Sequence, residues 1–326
     1  SFFKNSLDVS MDFYVKKTSD MLLNMPIPSF GAFPNSPFFN AGDLKNTGFE
    51  IVVNYRNQIG KDFNYNVGLN MSTYKTEVTK LTSEYLSGNT SRTYVGGPIG
   101  RFWGYKQIGI FQNQEEIDNY VDKNGTKIQP NAQPGDFKFA KLGESGELND
   151  DDDRTFIGDP NPDCIFGMTN TFSWKDFDAS IVFTGSLGGD IIDGTYEWTE
   201  NIDGVFNVRK EVAERWRSED NPGNGYIPRT RTGTTELFRY TNSRWVFKNN
   251  YITLKNITLG YTIPMKSNPY IKGIRVYGSA QNLFTLGSYP GMNPEVNKNT
   301  SGLYQGVDHT TYPVARIYTI GLNVKF

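Results

Sequence analysis

Residues 318–326 read Tyr318-Thr319-Ile320-Gly321-Leu322-Asn323-Val324-Lys325-Phe326. Successive side chains of an extended chain point to opposite sides. Tyr318, Ile320, Leu322, Val324 and Phe326 therefore share one face, and Thr319, Gly321, Asn323 and Lys325 the other. The same period of two recurs upstream. Over 7–16, Leu7, Val9, Met11, Phe13 and Val15 alternate with Asp8, Ser10, Asp12, Tyr14 and Lys16. Over 49–56, Phe49, Ile51, Val53 and Tyr55 stand against Glu50, Asn54 and Arg56. Over 63–74, Phe63, Tyr65, Val67, Leu69 and Met71 stand against Asn64, Asn66, Gly68, Asn70 and Ser72. Further strands are predicted at 165–174, 177–186, 246–262, 271–284 and 313–326. The facing of 246–262 is ambiguous around Lys255, and a β-bulge there would reconcile its two ends.

The connections sort by length. Residues 57–62, 175–176 and 263–270 read as tight turns; 17–45, 75–163, 187–245 and 285–312 read as long loops. Strict alternation of short and long is the habit of a membrane barrel, with turns at one rim and loops at the other. Each strand has about ten residues, enough to cross the apolar band at a tilt. The mean hydropathy of −0.53 does not oppose this, because alternating strands average to a polar score. No run of 18 apolar residues exists, which excludes a membrane-spanning helix. The 326 residues carry 33 Lys and Arg against 35 Asp and Glu, a balance that argues against nucleic-acid binding. Aromatic residues make up 14% of the chain and Gly numbers 33, a composition of strands and turns. With Cys164 alone, no intrachain disulfide and no cysteine-based metal cluster can form. Ser1-Phe2-Phe3-Lys4-Asn5-Ser6 is no signal peptide. Inside the long loops, 112–121 and 207–218 are predicted short helices, the second from Val208, Val212 and Trp216 at i, i+4 and i+8.

The terminal stretch, with Tyr318, Ile320, Leu322, Val324 and the carboxy-terminal Phe326, resembles the signal read by the machinery that assembles outer-membrane barrels. A wider resemblance follows from an ordered set of short stretches. They are Asn46-Thr47-Gly48-Phe49-Glu50, Ile108-Gly109-Ile110-Phe111-Gln112, Ile157-Gly158-Asp159-Pro160 with Pro162, Phe183-Thr184-Gly185-Ser186, Arg215-Trp216, Asn221-Pro222 and Pro228-Arg229. Then come Leu254-Lys255-Asn256-Ile257-Thr258-Leu259-Gly260-Tyr261-Thr262-Ile263-Pro264, Gln281-Asn282-Leu283-Phe284, Pro294-Glu295 and Tyr312-Pro313. Together they resemble the C-terminal part of a SusC/RagA-type TonB-dependent outer-membrane transporter. The resemblance implies an all-β antiparallel transmembrane β-barrel segment, about eight strands forming the last part of a barrel of about 22. Its long loops would be extracellular and its short turns periplasmic. Residues 1–326 are then expected to be the C-terminal portion of the barrel, without the plug domain and signal peptide. The implied setting is the outer membrane of a Gram-negative bacterium, among its lipids. The implied work is TonB-dependent uptake of a bulky glycan or peptide, with a SusD-like surface lipoprotein as lid and the TonB complex acting through a plug not in this chain.

Two other readings stay open at this stage: a self-contained small outer-membrane barrel with an adhesive or structural role, and a secreted all-β carbohydrate-active enzyme. Catalysis has few parts to work with. His309 is the sole histidine, Cys164 the sole cysteine, and no carboxylate pair is marked. Gly96-Gly97 and Gly188-Gly189 are followed by no Lys-Ser/Thr of a phosphate loop. No catalytic residue, cofactor or metal is assigned. The resemblance implies a calcium loop near Asp150-Asp151-Asp152-Asp153, yet its ligand positions hold Lys141, Gly143 and Ser145, poor calcium ligands. The acidic run is read instead as a solvated loop. Substrate or lid contact is expected of aromatic and arginine side chains in the long loops: Trp103, Tyr105, Trp198, Trp216, Tyr226, Arg229, Arg231 and Trp245. Packing the loops together is their other possible role.

Overall fold

The computed structural model describes residues 2–3, 5–24, 38–144, 146–200, 207–230, 241–265, 268–297 and 301–326. Eight long strands form one sheet: β1 (Leu7–Asn24), β2 (Phe38–Ile59), β3 (Phe63–Leu81), β4 (Cys164–Trp174), β5 (Phe177–Leu187), β6 (Tyr251–Pro264), β7 (Gly273–Gly287) and β8 (Ile317–Lys325). They lie side by side in chain order, every neighbour antiparallel. Among the described residues β1 and β8 form the two edges and do not pair with each other.

The registers carry one apolar face across all eight strands. Phe13 stands opposite Phe49, Met11 opposite Ile51, Ile51 opposite Met71 and Met71 opposite Phe166. Across the other half, Phe177 meets Tyr261, Leu259 meets Gly278, and Gly278 meets Ile320. This face is not covered: Phe13 is 72% exposed and Ile320 89%. The reverse face carries Asp12, Glu50, Asn66, Asn70, Thr169, Ser180, Thr258 and Arg275.

At the short-turn end the apolar face is edged by rings. Tyr55 and Tyr65 lie 5.7 Å apart, Trp174 and Phe177 6.1 Å, and Phe177 and Tyr261 4.6 Å. Rings at this level form the aromatic girdle of a membrane–water boundary. They come from strand ends, not from the long loops.

Several boundaries differ from expectation. The first three strands run to 18, 22 and 19 residues, so most of the expected loop over 17–45 is strand, with residues 25–37 outside the described residues. At about 3.3 Å per residue, β2 reaches about 70 Å, far more than a bilayer needs. The expected strand over 246–262 is two: Val246–Lys248 pairs elsewhere, and β6 starts at Tyr251. The bulge at Lys255 is present, since Leu254 pairs Phe183 and Asn256 pairs Val182, leaving Lys255 over. The last strand begins at Ile317 rather than 313. The helix expected over 112–121 is a single turn, Gln114–Asp118, capped by Asn113. The one expected over 207–218 is a 3₁₀ turn, Lys210–Glu214, because Arg215 is already extended. Val212 is buried there, while Val208 stays exposed.

The long connections fold together at the other end of the sheet. Short strands Leu86–Ser87, Ser91–Thr93, Arg101–Tyr105 and Arg154–Gly158 make one small sheet, and Gln107–Ile110 with Phe137–Phe139 another. A third joins Asp190–Asp193, Val246–Lys248 and Val307–Asp308, one strand from each of three chain regions. These form a cap with its own cores. Phe102, Ile192, Trp245 and Val307 make one; Tyr105, Ile110, Phe137, Phe139 and Trp216 make another.

Candidate functional site

Two surfaces can meet a solute: the cap and the polar face of the sheet. In the cap, the expected contact residues divide by burial. Tyr105, Trp216 and Trp245 are core residues, at 1%, 8% and 3% exposure. The Tyr105 hydroxyl donates to Asp150 Oδ1 at 2.5 Å, and burial, with that carboxylate beside it, pushes the phenol well above its usual range. Trp216 lies against Gly135, where an added Cβ would come 2.5 Å from the indole. Arg229 flanks the same point, its Nε donating to Asp136 Oδ1 at 2.8 Å and its amide to Gly135 O at 2.9 Å. Any influence of the three buried rings on a ligand passes through the loops they hold.

Trp103 is half-buried in a ladder of rings and guanidinium groups. Arg92 lies over Tyr85 and Trp103, 4.3 and 4.8 Å from their centroids, and Arg101 lies 3.9 Å from the centroid of Phe156. Cations stacked this way are held without losing their charge. Trp198 is half-buried in the short helix Tyr196–Thr199. Tyr226 is 70% exposed; the amides of Tyr226 and Ile227 both donate to Asn224 Oδ1, which fixes its loop. Arg231 lies outside the described residues.

The polar face of the sheet holds a feature that sequence reasoning missed. Arg275 on β7 reaches across β6 to Asp178 on β5, with Nε 2.8 Å from Oδ1 and a terminal nitrogen 2.5 Å from Oδ2. The strand between them carries Gly260, and a Cβ there would come 2.5 Å from both partners. Glycine is required at this crossing for want of space. Arg56 pairs with Asp8 nearby on β2 and β1. A groove of about 740 Å³ at the short-turn end of the sheet is lined by Arg56, Asn64, Asn66, Thr171, Ser173 and Asp178 among others. A signal was available: Arg and Asp at polar positions on strands two apart, with a Gly between.

The acidic run is not the uniformly solvated loop expected from the sequence. Asp151 and Asp152 are exposed, but Asp153 is wholly buried. Its carboxylate faces the Lys141 ammonium at 2.8 Å. The oxygens that calcium would require are not assembled: Lys141 brings a cation, Gly143 brings no side chain, and Ser145 is outside the described residues. The loop does not fit that metal.

An antiparallel meander with an apolar outer face, a polar reverse face, a girdle of rings and loops gathered at one end is the wall of a transmembrane β-barrel. No helix among the described residues is long and apolar enough to cross a membrane. No family model matches the chain. It is 32% identical over 342 residues to the TonB-dependent receptor P3 of Formosa agariphila, covering 99% of this chain and 33% of that protein. It is 26% identical over 345 residues to the TonB-dependent receptor SusC of Bacteroides thetaiotaomicron, covering all of this chain and 31% of that one. A solved structure of the RagAB peptide transporter superposes with a TM-score of 0.80 at 25% identity, over 99% of this chain and 34% of that one. In sequence the chain is similar to TonB-dependent receptors, SusC among them, and in fold to the RagAB peptide transporter. It spans about a third of the length of the relatives it matches.

Proposed function

We propose that the chain is the C-terminal portion of the barrel of an outer-membrane importer in a Gram-negative bacterium, one that takes up a bulky glycan or peptide without converting it. The observation that carries this is the two-faced sheet: an uncovered apolar face for lipid, a polar face for the lumen, and a folded cap at the long-loop end. The cap stands at the cell surface, where a SusD-like lipoprotein closes over it. Energy comes from the TonB complex through a plug supplied by the rest of the protein. Tyr226 and the accessible parts of Trp103, Trp198 and Arg229 are the ligand or lid contacts; Arg231, two residues along the chain from Arg229, is proposed with them. Tyr105, Trp216 and Trp245 hold the loops that present them. The terminal Tyr318 to Phe326 stretch serves as the assembly signal.

Sidedness provides the test. Cysteines replacing Asn124 in the cap and Lys61 in a short turn, both exposed positions, are challenged with a membrane-impermeant thiol reagent on intact cells. Labelling at 124 alone is expected. Labelling at 61 alone, or equal labelling of both, sinks the orientation and with it the importer reading.

A further inference from the structure

The loop over 141–153 is built around a cation that belongs to the chain. Lys141 leaves the strand Phe137–Phe139, and its side chain turns back into the loop, only 9% exposed. The ammonium lies 2.8 Å from Asp153 Oδ2 and 3.1 Å from the carbonyl oxygen of Glu147. The Asp153 carboxylate is fully occupied. Its Oδ1 accepts the amides of Leu142 and Gly143 at 2.8 and 2.9 Å, and its Oδ2 accepts the amide of Asn149 at 2.9 Å as well as the ammonium. Donors already aimed at both oxygens leave this carboxylate no room to ligate a metal, which would need six to eight oxygens around it.

We propose that the Lys141 ammonium is a tethered cation taking the structural place of a divalent ion, so that the cap of this protein is ordered independently of calcium. The opposing charges are in place to do this. Burial alone would raise the Asp153 pKa, but Lys141 and the Gly143, Asn149 and Leu142 amides outweigh it and hold the carboxyl below its usual range. The loop matters beyond itself. The Leu148 amide donates to Ile128 O at 2.8 Å, and its side chain packs on the core containing Tyr105 and Trp216. The Gly146 amide donates to Asp122 Oδ2 at 2.6 Å, tying in a second turn. Removing the ammonium leaves a buried carboxylate unpaired, which a calcium ion cannot repair because the amide donors still fill the carboxylate.

Hydrogen exchange of the 141–153 segment in the whole detergent-purified receptor tests this. Unmodified protein is expected to show the same protection in a chelator and in millimolar calcium. Lys141→Met is expected to exchange at least about tenfold faster across the segment, with no recovery on adding calcium. Lys141→Arg, which keeps a cation, is expected to stay protected. The retained heat-resistant barrel band on gels shows that each variant is assembled. Loss of protection in unmodified protein on chelation overturns the proposal. So does wild-type protection in Lys141→Met, recovery of that variant in calcium, or failure of Lys141→Arg to protect better than Met.

Discussion

Phe139 and Ile320 are both large apolar residues on β-strands, yet the first is wholly buried and the second is 89% exposed. The contrast holds region by region. In the cap, Phe102, Phe111, Ile117 and Ile191 are all at 1% exposure or less. In the long sheet only Val78 and Leu254 are buried among the described apolar residues, while Met11, Phe13, Leu259 and Leu322 all exceed half exposure. The cap is a water-folded body, apolar inside, stabilised by removing those side chains from solvent. The sheet is the reverse, with its apolar surface turned to lipid and its backbone groups satisfied by ladder hydrogen bonds. One chain therefore holds two bodies that respond differently to the same substitution.

The sharpest way to separate them is to empty a cap core. Phe102 packs against Ile192, Trp245 and Val307, residues from three distant segments. Phe102→Ala is expected to cost about 3–5 kcal/mol locally. Limited proteolysis should then cut the cap while the heat-resistant barrel band on gels persists. A barrel that melts together with the cap would show that the two bodies are one cooperative unit. The converse substitution attacks the sheet. Ile320→Lys, on the apolar face of β8, is expected to cost about 2–4 kcal/mol if it lies near the bilayer midplane, falling toward the interfaces. Surface levels should drop, whereas a Lys at the exposed Asn124 of the cap should leave them unchanged.

The same contrast explains what could be read from sequence. Lipid writes a period of two into the strands, so β4 and β5 were legible to within a residue or so. Past the bilayer both faces of a strand are wet and the signal stops. Lys17 pairs with Lys45, and Asn46 with Thr76, and the apolar residues beyond them, Met21, Leu22, Leu44, Val78 and Leu81, keep no steady period of two. The expected ends at 16, 49 and 74 thus follow the apolar band, not the strand. The bulge at Lys255 was legible because the facing slips there. The cap was not, since Tyr105, Phe137 and Trp216 meet only through tertiary contact. Burial of Tyr105, Trp216 and Trp245 cannot be told from exposure in loops that lack a period. Lys141 is a poor metal ligand by sequence, and a positive charge at that place is itself the clue to its partner Asp153.

A smaller effect is expected on the polar face, where packing is tight although water is near. Gly260→Ala puts a methyl group into the gap through which Arg275 reaches Asp178. The guanidinium must move or β6 must shift, at about 1–3 kcal/mol. The measurement is the unfolding midpoint of the detergent-solubilised barrel. Double substitution with Arg275→Ala should recover part of the loss, because one of the two clashing groups is then gone and the Asp178 carboxylate, released from the guanidinium, can turn away. If the double variant is no better than the sum of the singles, the close approach is not what makes glycine necessary there.

The smallest effect on stability is expected at Tyr226, and that is what makes it informative. Its ring is 70% exposed, and its loop is held by the two amides that donate to Asn224 Oδ1, contacts that the side chain does not make. Tyr226→Ala should therefore change stability by no more than about 0.5 kcal/mol. An exposed ring on the cap offers flat apolar area and a hydroxyl to a sugar, a peptide or a lid. If it serves as a contact anchor, its loss should weaken lipoprotein co-purification or substrate uptake by about tenfold or more, the scale of about 1.4 kcal/mol. Asn224→Ala, which frees the loop but keeps the ring, should give a partial loss. Unchanged uptake and unchanged lid association in Tyr226→Ala would leave the ring without a binding role. The contacts would then have to come from Trp103, Trp198 and Arg229, whose half-buried faces lie closer to the cap cores.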